Sequence, residues 1–334
     1  MIKKNKTFII AEAGVNHDGS LKKAFKLVKG AKLAGADAVK FQIWKTENVI
    51  TKKAPLAKYQ KTKKKNSLYQ LLKKLELPYS SFKKIKNYCM KEKIIFMATA
   101  DEIESAKYVV PLVKIIKVGS AELTDIPYLE KIGKFKKKTI ISTGMGNIKE
   151  INQAIKALKR GGLKKKLIYL LHCNTAYPTP LKDVNLNVIK QMIKKYGENI
   201  GFSDHSAIIE TPVAAVAIGA KIVEKHITIN KNSDGPDHSS SLNVKEFKRM
   251  VKSIRNIELA LGSKIKKVTQ SEKENVLIVR KSVYAKKKIN KGEKFSEKNL
   301  IIKRPGYGLA PDKLKNIIGT KSKKIFKIDD LINV

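Results

Sequence analysis

Short apolar runs rich in β-branched residues alternate with longer stretches of helical period along most of this chain. Extended runs fall at residues 8–14, 38–44, 94–100, 115–120, 139–143, 167–173, 200–204 and 222–227. Helical patterns lie between them at 21–34, 81–92, 103–109, 128–133, 149–159, 186–195 and 211–218, and a last one at 244–261 follows the final strand. Ser20, Ser80 or Ser81, Asp101 and Asn243 stand where helix N-caps belong. Strand–helix pairs at this spacing over residues 1–262 predict a (β/α)8 TIM barrel, with a doubly wound sheet as the alternative.

The pattern changes after Gly262. Residues 263–276 are polar and read as a linker. Residues 277–334 show short strand-like runs broken by turn formers at Asn290-Lys-Gly292, Arg304-Pro-Gly-Tyr-Gly308 and Ala310-Pro311. So small a β-rich domain is expected to pack against its own barrel or a second subunit. Within the barrel, residues 45–66 form the longest loop, with a helix starting just beyond. Asn66 there reads as an N-cap or as a substrate contact.

Chemistry collects at one edge of this predicted barrel. The C-terminal ends of the strands carry Glu12, Lys40 with Gln42, Thr99, Lys117 with Ser120 and Glu122, Ser142, His172, Ser203 with His205, and Glu224 with His226. That edge holds the active site in barrels of this kind. All five histidines (His17, His172, His205, His226 and His238) fall at it too. A parallel crossover brings His205 and His226 together. Two imidazoles on rigid strand ends, near the oxygens of the Asp234-Gly-Pro-Asp237 loop, suit a divalent metal that must also hold a substrate; the plain alternative is a pair of hydrogen-bonded histidines. Lys40 and Lys117, facing inward, allow either a Schiff base with a carbonyl substrate or the binding of phosphate and carboxylate. Their number and the neighbouring hydroxyls favour anion binding. Lys225, although beside His226, receives no role from proximity alone.

Composition narrows the class. Lys and Arg number 71 against 29 Asp and Glu, a net charge of +42, yet only five of the basic residues are Arg. The lysines are scattered over nearly every segment rather than clustered with aromatics, so a solvated Lys-rich surface is the reading, not a nucleic-acid interface. Cys89 and Cys173 form neither a metal-binding spacing nor a disulfide framework. Glu12 interrupts the apolar start too early for a signal peptide, and no apolar run is long enough for a membrane span, so a cytoplasmic protein is expected.

Ordered motifs then carry a resemblance. Residues 11–19 (AEAGVNHDG), 39–42 (VKFQ), 116–122 (IKVGSAE), 142–145 (STGM), 172–180 (HCNTAYPTP), 202–205 (FSDH), 223–226 (VEKH) and 235–237 (GPD) resemble the sialic acid synthase family over essentially the whole chain. The C-terminal segment with Lys303-Arg-Pro-Gly306 is similar to that family's antifreeze-like (SAF) domain. The resemblance implies a phosphoenolpyruvate-dependent transferase that condenses phosphoenolpyruvate with an N-acylated mannosamine-type sugar, with C–O cleavage. It implies that His205 and His226 ligate manganese or magnesium. Lys40, Thr99, Lys117, Ser120, Ser142, Ser203 and either Asn174 or Thr175 correspond to the phosphoenolpyruvate site. Gln42, Asn66, Tyr177 and Asp237 correspond to positions around the sugar, and Glu12, Glu122 and Glu224 to the reacting centre. It further implies a homodimer in which Arg304 of the SAF domain reaches over the partner's barrel. N-acetylmannosamine, giving N-acetylneuraminate, is the expected sugar, with the 2,4-diacetamido-2,4,6-trideoxymannose of legionaminate synthases as the alternative. A metal-free Schiff-base lyase and a catalytically dead carbohydrate-binding barrel are the readings from other classes.

Overall fold

The computed structural model describes residues 6–56 and 67–333. The chain divides after Gly262 into two compact units. In the first, β1 (Phe8–Gly14), β2 (Ala38–Ile43), β3 (Ile95–Ala100), β4 (Ile115–Val118), β5 (Lys138–Ser142), β6 (Ile168–Cys173), β7 (Ile200–Asp204) and β8 (Ile222–Thr228) pair in parallel in chain order. β1 also pairs with β8, so the sheet closes into a TIM barrel. Its principal helices are α1 (Leu21–Leu33), α2 (Thr46–Val49), α3 (Leu68–Leu75), α4 (Tyr79–Lys91), α5 (Ile103–Val109), α6 (Ile126–Lys134), α7 (Ile148–Arg160), α8 (Asn187–Tyr196) and α9 (Glu210–Ala217). After β8 come the short β9 (Leu242–Asn243) and the long α10 (Val244–Leu261).

Side chains alternate across a strand, so every second residue enters the barrel. Phe8, Ile10, Ala38, Met97, Ile115, Ile140, Tyr169, Leu171 and Ile222 form one buried apolar layer there. The outward residues pack under the helices in a larger cluster that includes Val39, Phe41, Ile141 and Val223. Gly201 makes the inner layer possible on β7. A Cβ at that point would lie 2.5 Å from the Ile222 carbonyl and 2.6 Å from Leu171 Cδ2. Strand register then sets the next layer toward the C-terminal edge, where Glu12 pairs with both Lys40 and His226, Thr99 with Lys117, and Ser203 with Glu224.

Local chemistry marks the helix starts. Ser20 caps α1, and Asn147 with Glu150 and Asn243 with Glu246 form capping boxes on α7 and α10. Two expected caps move. Pro78 precedes α4, and Glu102 rather than Asp101 caps α5 by accepting from the Ser105 and Glu104 amides. Asn66 lies outside the described residues; α3 itself is capped by Ser67 with Gln70. At the opposite edge of the barrel Arg255 of α10 donates to the Thr7 carbonyl at 2.9 Å and to Asp37 Oδ2 at 3.0 Å, fastening that helix to the starts of β1 and β2.

The second unit carries α11 (Lys273–Val279), so the stretch read as a linker to residue 276 already contains helix. Beyond it β10 (Ser282–Ala285) and β11 (Leu300–Lys303) pair antiparallel. Val283, Ala285, Ile289, Phe295, Leu300, Ile317, Phe326 and Ile332 form its core.

Candidate active site

The layer above the apolar one lines a cavity of about 380 Å³ at the C-terminal ends of the strands. Every strand contributes: Glu12, Lys40 with Gln42, Thr99, Lys117, Ser142, Cys173, Ser203 with His205, and Glu224 with His226 all face it. Ser120, Glu122, Thr175 and Tyr177 join from the loops.

A buried ion-pair cluster forms the floor. Lys40 Nζ lies 2.9 Å from Glu12 Oε2 and 3.6 Å from Glu224 Oε2, and Lys117 Nζ lies 3.6 Å from Glu224 Oε1. Lys40 donates to Thr99 Oγ1 at 2.8 Å, Lys117 to Ser142 Oγ at 2.8 Å, and Ser203 Oγ to Glu224 Oε1 at 3.0 Å. Carboxyl groups outnumber ammonium groups, and their protonation decides what the cavity can accept. Burial pushes Glu12 up to about 7 against the pull of Lys40, and burial likewise raises Glu122 to about 7. Burial also works on Glu224, but Lys117, Lys40 and the Ser203 hydroxyl outweigh it and hold that group below its ordinary value. Near neutral pH the site therefore contains one firmly ionised carboxylate, two carboxyls poised to gain or lose a proton, a fourth carboxyl on Asp101 that burial and Glu122 hold well above its ordinary value, and two lysines beside hydroxyl donors.

The same cavity is lined by two imidazoles. The rings of His205 and His226 are 5.4 Å apart between centroids, and the Tyr177 ring covers His205 at 4.1 Å. His205 Nδ1 donates to the Asn174 carbonyl at 2.5 Å, which leaves Nε2 as the ring nitrogen for another partner; burial lowers the pKa of this imidazole, but Cys173 and the Asn174 carbonyl outweigh it and hold the group above its ordinary value. His226 Nδ1 is buried without an aligned hydrogen-bond partner among the described residues, and Asp237 Oδ2 is 3.7 Å from it. Burial holds the His226 imidazole well below its ordinary pKa and therefore neutral, the state that binds a cation. Gly14, at φ +47°, is where the backbone makes room: a Cβ there would lie 3.2 Å from Glu12 Oε1, 3.4 Å from Asp237 Oδ2 and 3.4 Å from His226 Cε1. Two imidazoles beside Asp237, whose carboxyl burial raises to about 6, offer nitrogen and oxygen donors to a divalent ion once His205 has shed its proton. Among the described residues no group of three His, Cys, Asp or Glu is arranged to hold one alone, so substrate or water oxygens would complete such a shell.

Several expected residues sit elsewhere. His172 is on the outward side of β6, bonded to the Val184 carbonyl at 2.8 Å and stacked on Phe202; Cys173, one residue on, takes the inward place. Asn174 turns its side chain to the Ala176 amide and the Asp183 carbonyl, and Thr175 is the one that lines the cavity. Asp237 packs against His226 behind the lining. His17 and His238 join loops: the Gly19 amide donates to His17 Nδ1, and His238 bridges Asp18 and Thr228. Arg304 belongs to the second unit. Asp101 and Met145 line the cavity without having been expected there. Asp101 could have been found from its spacing, two residues beyond Thr99 and so on the same side of the strand line. A second cavity of about 390 Å³, lined mainly by Ile155, Ile168, Leu170, Tyr196 and Ile200, lies at the N-terminal ends of β6 and β7 and brings together no comparable set of titratable groups.

A closed parallel barrel with a polar, ion-paired cavity at its strand C-termini is the plan of a barrel enzyme. The NeuB family model matches residues 27–266 and the SAF domain model residues 280–333. The chain belongs to the NeuB family. It is 45% identical over 330 residues to the N,N'-diacetyllegionaminic acid synthase of Campylobacter jejuni, covering 98% of this chain and 99% of that one. It is 39% identical to the N,N'-diacetyllegionaminic acid synthase of Legionella pneumophila over 94% of this chain and 90% of that protein. The crystal structure of the N-acetylneuraminic acid synthetase of Leptospira borgpetersenii in complex with citrate superposes with a TM-score of 0.73 at 32% identity, covering 81% of this chain and 90% of that one. Among the described residues no helix is long and apolar enough to cross a membrane.

Proposed function

We propose that this chain is a nonulosonic acid synthase that joins phosphoenolpyruvate to an N-acylated mannosamine-type sugar. The observation that carries the reading is one cavity lined by two buried, hydroxyl-flanked lysines and by two imidazoles whose rings lie 5.4 Å apart. Lys117 with Ser142, and Lys40 with Thr99, hold the carboxylate and phosphate of phosphoenolpyruvate, with Ser120, Thr175 and Ser203 as further donors. Gln42 and Tyr177 face the sugar, and Asp237 backs His226 behind them. In the reaction C3 of phosphoenolpyruvate forms a bond to the aldehyde carbon, water adds at C2, and phosphate leaves with its bridging oxygen. Glu12, held near neutrality, donates a proton toward the aldehyde oxygen, and Glu122 takes the proton from the attacking water. Glu224 stays ionised between the lysines and fixes their positions. A divalent ion held by His205 and His226 beside Asp237 would supply Lewis-acid polarisation of the aldehyde. The reading also includes a homodimer in which Arg304 meets the sugar's acyl group in a second copy.

For the sugar, identities of 45% and 39% to the two legionaminic acid synthases favour 2,4-diacetamido-2,4,6-trideoxymannose over N-acetylmannosamine. The second reading, N-acetylmannosamine, draws support from the Leptospira synthetase at 32%. Incubation with phosphoenolpyruvate, Mn²⁺ and each sugar, followed by mass spectrometry of the product, separates them. We expect the diacetamido sugar to give the faster turnover, with one phosphate released per product. Absence of phosphate release with either sugar would refute the synthase reading.

A further inference from the structure

Behind the imidazole wall lies a second charged group that the chemistry above does not use. Asp204 on β7 and Lys225 on β8 are neighbours in register, and both side chains point outward from the barrel. Each is 1% exposed. Lys225 Nζ lies 2.5 Å from Asp204 Oδ2 and donates to the Ser206 carbonyl at 2.5 Å, the Ile208 carbonyl at 3.1 Å and Ser206 Oγ at 3.3 Å. Asp204 accepts from the Ser206 amide at 2.9 Å, from Ser206 Oγ at 3.1 Å and from Thr211 Oγ1 at 2.8 Å. The ammonium thus occupies a cage of oxygens drawn from the end of β7 and the loop that leaves it.

His205 is the residue between the two anchored points. Its neighbours Asp204 and Ser206 are both tied to Lys225, while its own carbonyl accepts from the Thr179 amide at 2.9 Å. A buried ion pair adds little net stability against an apolar pair of the same shape, so folding alone does not account for its presence. We propose that the Asp204–Lys225 pair is a positioning device that clamps the loop after β7 and so aims the His205 imidazole at His226. The proposal rests on the cation-binding reading of those two histidines. It also assigns a part to Lys225, which position in the sequence alone did not.

The test is an Mn²⁺ titration followed by electron paramagnetic resonance on the full chain, beside steady-state kinetics and thermal melts. Lys225→Met leaves Asp204 unpaired and is expected to lower stability, so Asp204→Asn/Lys225→Met, which buries no charge, is measured with it. In both variants we expect Mn²⁺ affinity to fall by about ten-fold or more, the scale seen when a supporting partner of a metal ligand is lost. We expect kcat to fall in parallel and the KM for phosphoenolpyruvate to hold within about two-fold, because Lys117, Ser142 and Ser203 are untouched. Lowered stability with Mn²⁺ affinity and kcat unchanged in either folded variant would overturn the proposal. Should the parent protein itself take up no Mn²⁺, the metal reading falls. The clamp is then decided by kcat at unchanged phosphoenolpyruvate KM, a ten-fold loss sustaining it and parental turnover refuting it.

Discussion

Within two residues along each strand the barrel interior changes from one kind of matter to another. Ile10 gives way to Glu12, Ala38 to Lys40, Ile115 to Lys117, Ile140 to Ser142 and Ile222 to Glu224. Both layers are buried, on the same strands, in the same register. The lower one gains from removal of apolar surface from water. The upper one has carried ammonium and carboxylate groups out of water and recovers that cost only partly through ion pairs. The difference separates the layer that holds the fold together from the layer that the fold holds in place. Residues of the first should be needed for stability and not for turnover, and residues of the second the reverse.

The sharpest break would come from Lys117→Met. Burial lowers the Lys117 pKa, so its ammonium is a burden in the free protein, and Glu224 keeps Lys40 at 3.6 Å as a remaining partner. We expect kcat/KM for phosphoenolpyruvate to fall roughly 10³-fold, as for loss of a preorganised electrostatic contact, with a melting temperature at or near that of the parent. A variant that loses its fold but keeps its specific activity per folded molecule would invert the comparison. The lower layer supplies the counterpart. Ile140→Ala removes a fully buried side chain from the apolar cluster and should cost about 3 kcal/mol in denaturant unfolding. Turnover at a temperature where the variant is still folded should stay within about two-fold of parent. A large loss of turnover with little loss of stability would mean that the lower layer also shapes the cavity.

How much of this was legible beforehand follows from the same alternation. The strands, their order and the edge carrying the chemistry could be read because β-branched runs of period two are local signals. Strand parity accords with Lys40 and Gln42, and Ser203 and His205, sharing a side in the structure. At β6 the choice went against parity: His172 drew attention as an imidazole, although Cys173 has the inward position. Parity could not weigh Asp101, whose place at a helix start offered a simpler use as a cap that Glu102 in fact fills. Thr175 over Asn174 was beyond reach, since the loop conformation that turns the Asn174 amide toward Asp183 depends on distant backbone. Lys225 was hidden among 71 Lys and Arg residues; only its burial against Asp204 distinguishes it. The family resemblance named most of the cavity, and spatial packing supplied the groups that support it.

The smallest predicted effect tests whether an upper-layer carboxyl burdens the fold. Burial raises Glu122 from 4.5 to about 7, so between those values the native state binds more protons than the unfolded chain, and this group's contribution to stability increases as pH falls. Above about 7 both states are ionised and the whole desolvation cost is borne by the native state; below 4.5 both are protonated and the cost is gone. Glu122→Gln is neutral throughout. It should therefore be more stable than the parent at pH 8, by about 2 kcal/mol after allowing for the partial exposure of this side chain. In a protein of this length that amounts to a few degrees in melting temperature. The advantage should shrink steadily as pH is lowered and vanish near pH 4.5, while turnover is impaired wherever it can be measured. A gain that is independent of pH would point to packing instead of charge, and no gain at pH 8 would place Glu122 among groups the fold accommodates without strain. Either result would move the boundary between the two layers by one residue.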